Sequence, residues 1–180
     1  MLRVAARVFN ERGYDGTSME DLARALGVTK SAIYHHVTGK TELLRRSLDL
    51  ALDALFAVTR EDASTSGPAI DRLENVLRGS VRVLVEELPH VTLLLRVRGN
   101  TEVEQHALAR RREFDHLVAG LVREGIAAGE IRDDVDPAIA ARLLFGMVNS
   151  IVEWYRPDRG LDAEELADSL SRMAFEGLRA

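Results

Sequence analysis

Residues 18–36 hold the side chains whose types and spacing point to chemistry. Ser18, Thr29, Lys30, Ser31, Tyr34 and His35 are hydrogen-bonding groups within a run that reads as two short helices. A helix-turn-helix needs a small residue where its helices cross, a glycine at the turn and a buried aliphatic residue on the second helix. Ala23, Gly27 and Ile33 stand at those places, with Leu22, Leu26 and Val28 available to fill the crevice. The second helix then turns Thr29, Lys30, Ser31, Ala32, Tyr34 and His35 outward. Short hydroxyls, one lysine and one tyrosine on one face suit the major groove of DNA, where base edges present donors and acceptors. On spacing alone, an ordinary helical hairpin with a polar face has the same pattern.

Two other groupings invite a chemical reading. Glu87 with His90, and Glu113 with His116, have the Glu-x-x-His spacing used in di-iron helical bundles. Pro89 interrupts the first pair and breaks the helix that would aim it, so chance spacing accounts better for both. The sequence contains no P-loop, dinucleotide fingerprint or nucleophile motif, which points away from an enzyme and calls for no cofactor or metal. Separately, Arg96 and Arg98 follow a Leu-rich stretch, and Arg110, Arg111 and Arg112 lie close behind in an otherwise acidic region. Arginine clusters suit phosphates, and apolar depth beside them would suit an acyl-coenzyme A thioester. The same arginines would equally serve as solvated partners of Glu102, Glu104 and Glu113.

The elements that must position these groups are helical throughout. The 180 residues are 46% hydrophobic but only 5% aromatic, with four prolines, and abundant Ala, Leu, Glu and Arg favour helix. Cysteine is absent, which excludes disulfides and thiolate metal sites and agrees with a cytoplasmic location. No secretory leader is visible, and the most apolar stretch, 138–154, carries Arg142 and Asn149 and reads as a buried helix, not a membrane span. Net charge is −5, yet residues 1–50 carry eight basic and six acidic side chains and contain both lysines, Lys30 and Lys40. A mildly basic head on an acidic body fits a nucleic-acid module joined to a separate binding domain.

Periodicity divides the chain. A first helix carries Val4, Ala5, Val8 and Phe9 and stops at Gly13. Ser18, with Asp21 three residues on, caps a second that ends at Gly27. A third covers 30–36, and a fourth runs from Thr41 toward Glu61. Residues 64–68 read as a linker. Beyond it comes a helix marked by Ile70, Leu73, Leu77 and Leu84 that Pro89 ends, then a short apolar segment over 91–97. A long helix spans 102–128; another begins at Asp136-Pro137 with Asp as cap and Pro at the first position; the last runs from Asp162 to about Leu178. The expected fold class is all-α with nine helices.

Several of these segments together resemble the tetracycline-repressor (TetR, AcrR-like) family. They are Phe9-x3-Gly13-Tyr14, Thr17-Ser18-x2-Asp21-Leu22-Ala23, Leu26-Gly27-Val28-Thr29-Lys30-Ser31-x-Ile33-Tyr34-His35-His36 and Gly39-Lys40-x2-Leu43-Leu44, in order over residues 4–46. The resemblance implies an Ω-shaped homodimer that binds palindromic operator DNA and releases it when a small molecule binds. It divides the chain into a helix-turn-helix domain at 1–46 and a ligand-binding and dimerisation domain at 47–180. It also places Ser18 and Lys40 on phosphates, Thr29, Lys30, Ser31 and Ala32 at or near bases, and Tyr34 and His35 on the backbone. Val37 departs from the family's usual Phe, which implies smaller packing between the third and fourth helices. The first helix begins almost at the first residue, leaving no basic arm ahead of it.

For the body, the implied ligand pocket would be lined by Leu84, His90, Leu94, Arg96, Phe114, Leu117, Leu121, Phe145 and Asn149. The implied dimer interface would use Leu143, Met147, Ile151, Leu166, Leu170 and Met173 on the last two helices. The effector would be an acyl-coenzyme A or another apolar acid derivative. A helical adaptor with no DNA role is the remaining alternative, and it would leave the outward face over 29–36 without a purpose.

Overall fold

The computed structural model describes residues 1–176 and Leu178. Among these residues ten α-helices follow one another: α1 (Leu2–Arg12), α2 (Met19–Leu26), α3 (Lys30–Tyr34), α4 (Lys40–Val58), α5 (Asp62–Thr65), α6 (Ala69–Glu86), α7 (Leu88–Arg96), α8 (Glu102–Ala127), α9 (Pro137–Trp154) and α10 (Ala163–Phe175). The one not expected is the single turn α5, which begins at Asp62 and runs into the first two residues of the linker expected at 64–68. Ser64 is buried there, and the Asn75 amide donates to its hydroxyl at 2.7 Å. Glu61 is not the end of α4, and α3 stops two residues short of its expected span. The last helix ends at Phe175; its expected passage through residue 177 lies outside the described residues.

The chain forms two compact units. One comprises Met1–Asp53 with Glu87–Arg110, the other Ala54–Glu86 with the residues from Arg111 onward; α4 and α8 are each continuous across the division. In the first unit α1 packs on α2 and α7, and α2 on α3. The apolar stripe of α1 puts Ala5, Ala6, Val8 and Phe9 inside, while α3 buries Ile33. Pro89 does not merely end a helix: α6 stops at Glu86, and the proline sits at the second position of α7, where a missing N–H leaves no hydrogen bond unmade. The turn into α8 closes on Glu104, whose buried carboxylate accepts the N–H groups of Arg98, Gly99 and Asn100 at 3.1, 2.8 and 2.9 Å.

In the second unit α6 packs against α10, α5 and α9. Three aromatic rings meet edge to face at its centre: Phe114 lies 5.7 Å from Phe56 and 5.1 Å from Phe145. Asp136 caps α9 by accepting the Ile139 N–H at 2.9 Å, with Pro137 at the first helical position. Ala140, Ala141, Leu144, Phe145, Val148 and Ile151 are buried on α9, whereas Ile139, Leu143 and Trp154 are exposed. No helix of the described residues is long and apolar enough to cross a membrane.

Candidate nucleic-acid interface

The helix-turn-helix is built by local hydrogen bonds the sequence dictates. Ser18 Oγ accepts the Asp21 N–H at 3.1 Å, and the Asp21 carboxylate accepts the Ser18 N–H and hydroxyl at 3.0 and 2.6 Å. This reciprocal capping box fixes the start of α2. The Ser18 hydrogen bonds hold the Asp21 carboxyl below its ordinary range, with the nearby Arg12 and Arg24 guanidiniums acting in the same direction. At the other end Gly27 adopts the left-handed conformation (φ 67°, ψ 30°), and the Val28 N–H turns back to the Ala23 carbonyl at 3.1 Å. That closure matches the glycine-terminated helix end in which the residue beyond the glycine bonds back into the last turn.

Thr29 then caps α3, accepting the Ala32 N–H on its hydroxyl at 3.2 Å. Ile33 anchors the helix, so its other side faces out: Thr29, Lys30, Ser31, Tyr34 and His35 are exposed and Ala32 is partly covered. Tyr34 is a large ring left 48% exposed. Lys30 reaches back to α2, donating to Glu20 Oε1 at 2.6 Å. That hydrogen bond lowers the Glu20 carboxyl and raises the Lys30 ammonium, both at the solvent surface. Val37 is buried where the resemblance expected a larger ring.

Lys40, at the start of α4, is held by a residue to which the sequence reading gave no role. Its ammonium lies 4.3 Å from the centre of the Tyr14 ring and donates to the Tyr14 carbonyl at 2.8 Å. The Tyr14 hydroxyl and Thr41 Oγ1 are 2.9 Å apart, and the ring tilts against Phe9 at 5.5 Å. Tyr14 therefore joins the end of α1 to the start of α4. Its presence after Gly13 was the only signal in the sequence; what it touches comes from elements separated along the chain.

The residues expected at a ligand pocket are divided between the units. His90, Leu94 and Arg96 belong to the first; Leu84, Phe114, Leu117, Leu121, Phe145 and Asn149 belong to the second. His90 is buried with Nε2 3.9 Å from Glu87 Oε2 and with no partner for Nδ1 among the described residues, and its burial holds the imidazole below the ordinary range. In the second unit Leu84, Leu121, Phe114 and Phe145 are buried, Asn149 is half-buried and Leu117 is exposed. Of the expected dimer residues, Leu143 and Met173 are exposed and Met147 partly so, while Ile151, Leu166 and Leu170 are buried within the chain.

Nor do the clustered arginines make one surface. Arg96 donates to the Asn10 carbonyl at 3.0 Å, and Arg110 donates to Asp49 and Asp53 at 3.4 and 2.8 Å. Glu104 is occupied by the backbone N–H groups of the α7–α8 turn, not by an arginine. Burial lowers the Arg111 guanidinium, with Asp115 opposing the shift. The two Glu-x-x-His pairs fall in separate units, and no three His, Asp or Glu side chains of the described residues gather to hold a metal ion.

Comparison with known proteins adds independent findings. Residues 1–46 match the profile of bacterial regulatory proteins of the tetR family, and residues 66–178 match that of a tetracyclin repressor-like C-terminal domain. The chain is 27% identical over 188 aligned positions to the HTH-type transcriptional repressor KstR2 of Rhodococcus jostii, covering 99% of this chain and 89% of that protein. Among solved structures, SCO3833 of Streptomyces coelicolor A3, a member of the TetR transcriptional regulator family, is 57% identical. It superposes with a TM-score of 0.91 over 99% of this chain and 90% of that one. AibR, solved with isovaleryl coenzyme A and operator DNA, is 28% identical with a TM-score of 0.81, covering 97% of this chain and 95% of that one.

Proposed function

Since the chain belongs to the tetR family of bacterial regulatory proteins, we propose that it is a ligand-responsive transcriptional repressor of the cytoplasm. It binds a palindromic operator as a homodimer and leaves it when an acyl-coenzyme A or a related apolar acid derivative binds. Residues 1–46 serve as the DNA-binding domain and 47–180 as the ligand-binding and dimerisation domain. It acts by binding and has no catalytic role.

The observation that carries this reading is the outward face of α3. Thr29, Lys30, Ser31, Tyr34 and His35 are exposed on a helix anchored by Ile33 and capped at Thr29, with Lys30 tied to Glu20 at the surface. Thr29, Lys30, Ser31 and Ala32, at the N-terminal end, approach base edges in the major groove, as the recognition helix of such motifs does. Tyr34 and His35 meet the sugar-phosphate backbone. Ser18 at the head of α2 and Lys40 at the head of α4 flank it, where helix N-termini and ammonium groups favour phosphate oxygens. Dimerisation uses the apolar surface of α9 and α10, on which Leu143 and Met173 are exposed. The effector class is supported by AibR, whose structure contains isovaleryl coenzyme A with operator DNA, and the repressor role by the naming of KstR2.

The test is selection of bound sequences from a random duplex pool, followed by titration of the enriched duplex with and without acyl-coenzyme A compounds. The expected result is a two-fold symmetric sequence released by at least one acyl chain length. Failure to enrich any sequence would overturn the reading.

A further inference from the structure

The second unit contains arginines that the fold leaves unused. Arg72 holds Glu124 at 2.6 Å, Arg78 holds Asp168 at 2.5 Å, Arg82 holds Glu164 at 3.3 Å and Arg132 holds Asp134 at 2.5 Å. Arg112 on α8 and Arg142 on α9, in contrast, hold no carboxylate or carbonyl among the described residues, and they line the same crevice. His116 joins them one turn along α8 from Arg112. Asp115 is the one carboxylate of the lining, and its charge also acts on the neighbouring Arg111 guanidinium.

The rest of the lining is Ala119, Ala138 and Ala141, three side chains that end at Cβ and keep the space between the helices open. The crevice measures about 180 Å³, below the 300–1,000 Å³ of a site that encloses a whole small molecule. It has room for one charged group of a larger ligand. Ala138 lies in the first turn of the 18-residue α9, where the aligned peptide dipoles add positive potential. Two guanidiniums with no carboxylate partner lining one small-residue hollow in an acidic body are the chemistry of a phosphoryl site, since the planar guanidinium fork matches phosphate oxygens in pairs.

We propose that the α8–α9 crevice formed by Arg112, His116 and Arg142 binds a phosphoryl group of the effector's coenzyme A portion. This rests on the effector class given under the proposed function and joins Arg112 and His116 to Arg142, to which the sequence assigned no chemical role. Of the five sequence-adjacent arginines, Arg112 alone is part of it.

Isothermal titration of coenzyme A and isovaleryl-coenzyme A into the full chain tests the assignment. Arg112→Gln, Arg142→Gln and Ala138→Glu should each weaken binding at least tenfold, the last by placing a carboxylate at the rim without removing an arginine. Arg123→Gln, an exposed charge on the same helix, should bind as the parent does. If the parent binds and all four variants match it, the crevice is not the phosphoryl site, although the effector class stands. If neither compound binds the parent, the effector class fails, and inorganic pyrophosphate decides the site alone. Saturable pyrophosphate binding that Arg112→Gln and Arg142→Gln abolish supports it; no binding, or binding unchanged in those variants, overturns it.

Discussion

At the start of α4, Lys40 spends one N–H on the Tyr14 carbonyl and rests over the Tyr14 ring, leaving two donors for a phosphate. Lys40→Ala should weaken binding to all duplexes alike and reduce the slope of log affinity against log salt by about 1, read by fluorescence anisotropy at several salt concentrations. Thr29→Ala or Ser31→Ala should instead change which base is preferred at a few operator positions, as the proposed function assigns these hydroxyls to base edges and base contacts carry the sequence information. His90 gives a prediction in pH. Its imidazole is held below the ordinary value by burial, so from about pH 6.5 downward the unfolded chain takes up a proton that the folded chain resists. Folding stability should therefore fall as pH drops below that value, level off once pH is below the folded-state pKa, and show less of this decline in His90→Gln. Thermal melts at pH 7.5 and 5.5 compare them.

Close packing in the second unit depends on two helix-interior glycines, one facing another helix and one facing the turn that follows its own. A Cβ built on Gly79 of α6 would lie 2.3 Å from Val58 Cγ1 and 3.2 Å from Val58 Cβ. No rotamer of a β-branched side chain moves its own Cβ, so the helix must shift. Gly79→Ala should lower stability by about 1–3 kcal/mol, despite the gain in helix propensity. A Cβ on Gly125 of α8 meets chiefly the outer carbons of Ile131, with the nearest, Cδ1, at 2.6 Å, and these can rotate aside. Gly125→Ala should cost less, and urea unfolding of the two variants side by side would detect the difference. The sequence made both glycines visible as helix-interior residues, but Val58, the partner of Gly79, lies on α4, whereas Ile131 is only six residues beyond Gly125. Pro89 read alone is a breaker, and packing turns it into the opening of α7.

For the molecule as a whole, the exposed apolar side chains Leu143 and Met173, 65% and 76% accessible, are the ones a second copy would cover. Leu143→Arg or Met173→Arg should shift the sedimentation profile from dimer to monomer and lower operator affinity together, since a palindromic site rewards two linked heads. A monomer that bound operator as tightly as the parent would contradict the assigned face. Ile151, Leu166 and Leu170 look alike in sequence to these two, yet they are buried within the chain, and truncating them should destabilise the protomer by about 2–5 kcal/mol.

Local rules determined the helix-turn-helix. Capping by Ser18 and Thr29, the left-handed turn at Gly27 and the single buried Ile33 are interactions within a few residues, so their pattern is written in the sequence. The all-helical class followed from periodicity and composition for the same reason. Tertiary structure alone decided which charges are spent and which are free. Asp49 and Asp53 neutralise Arg110 across 61 and 57 residues, and Arg112 and Arg142 line one crevice only because residues of α8 and α9 come together there. Electrostatic pairing depends on distance in space, and a sequence records only distance along the chain.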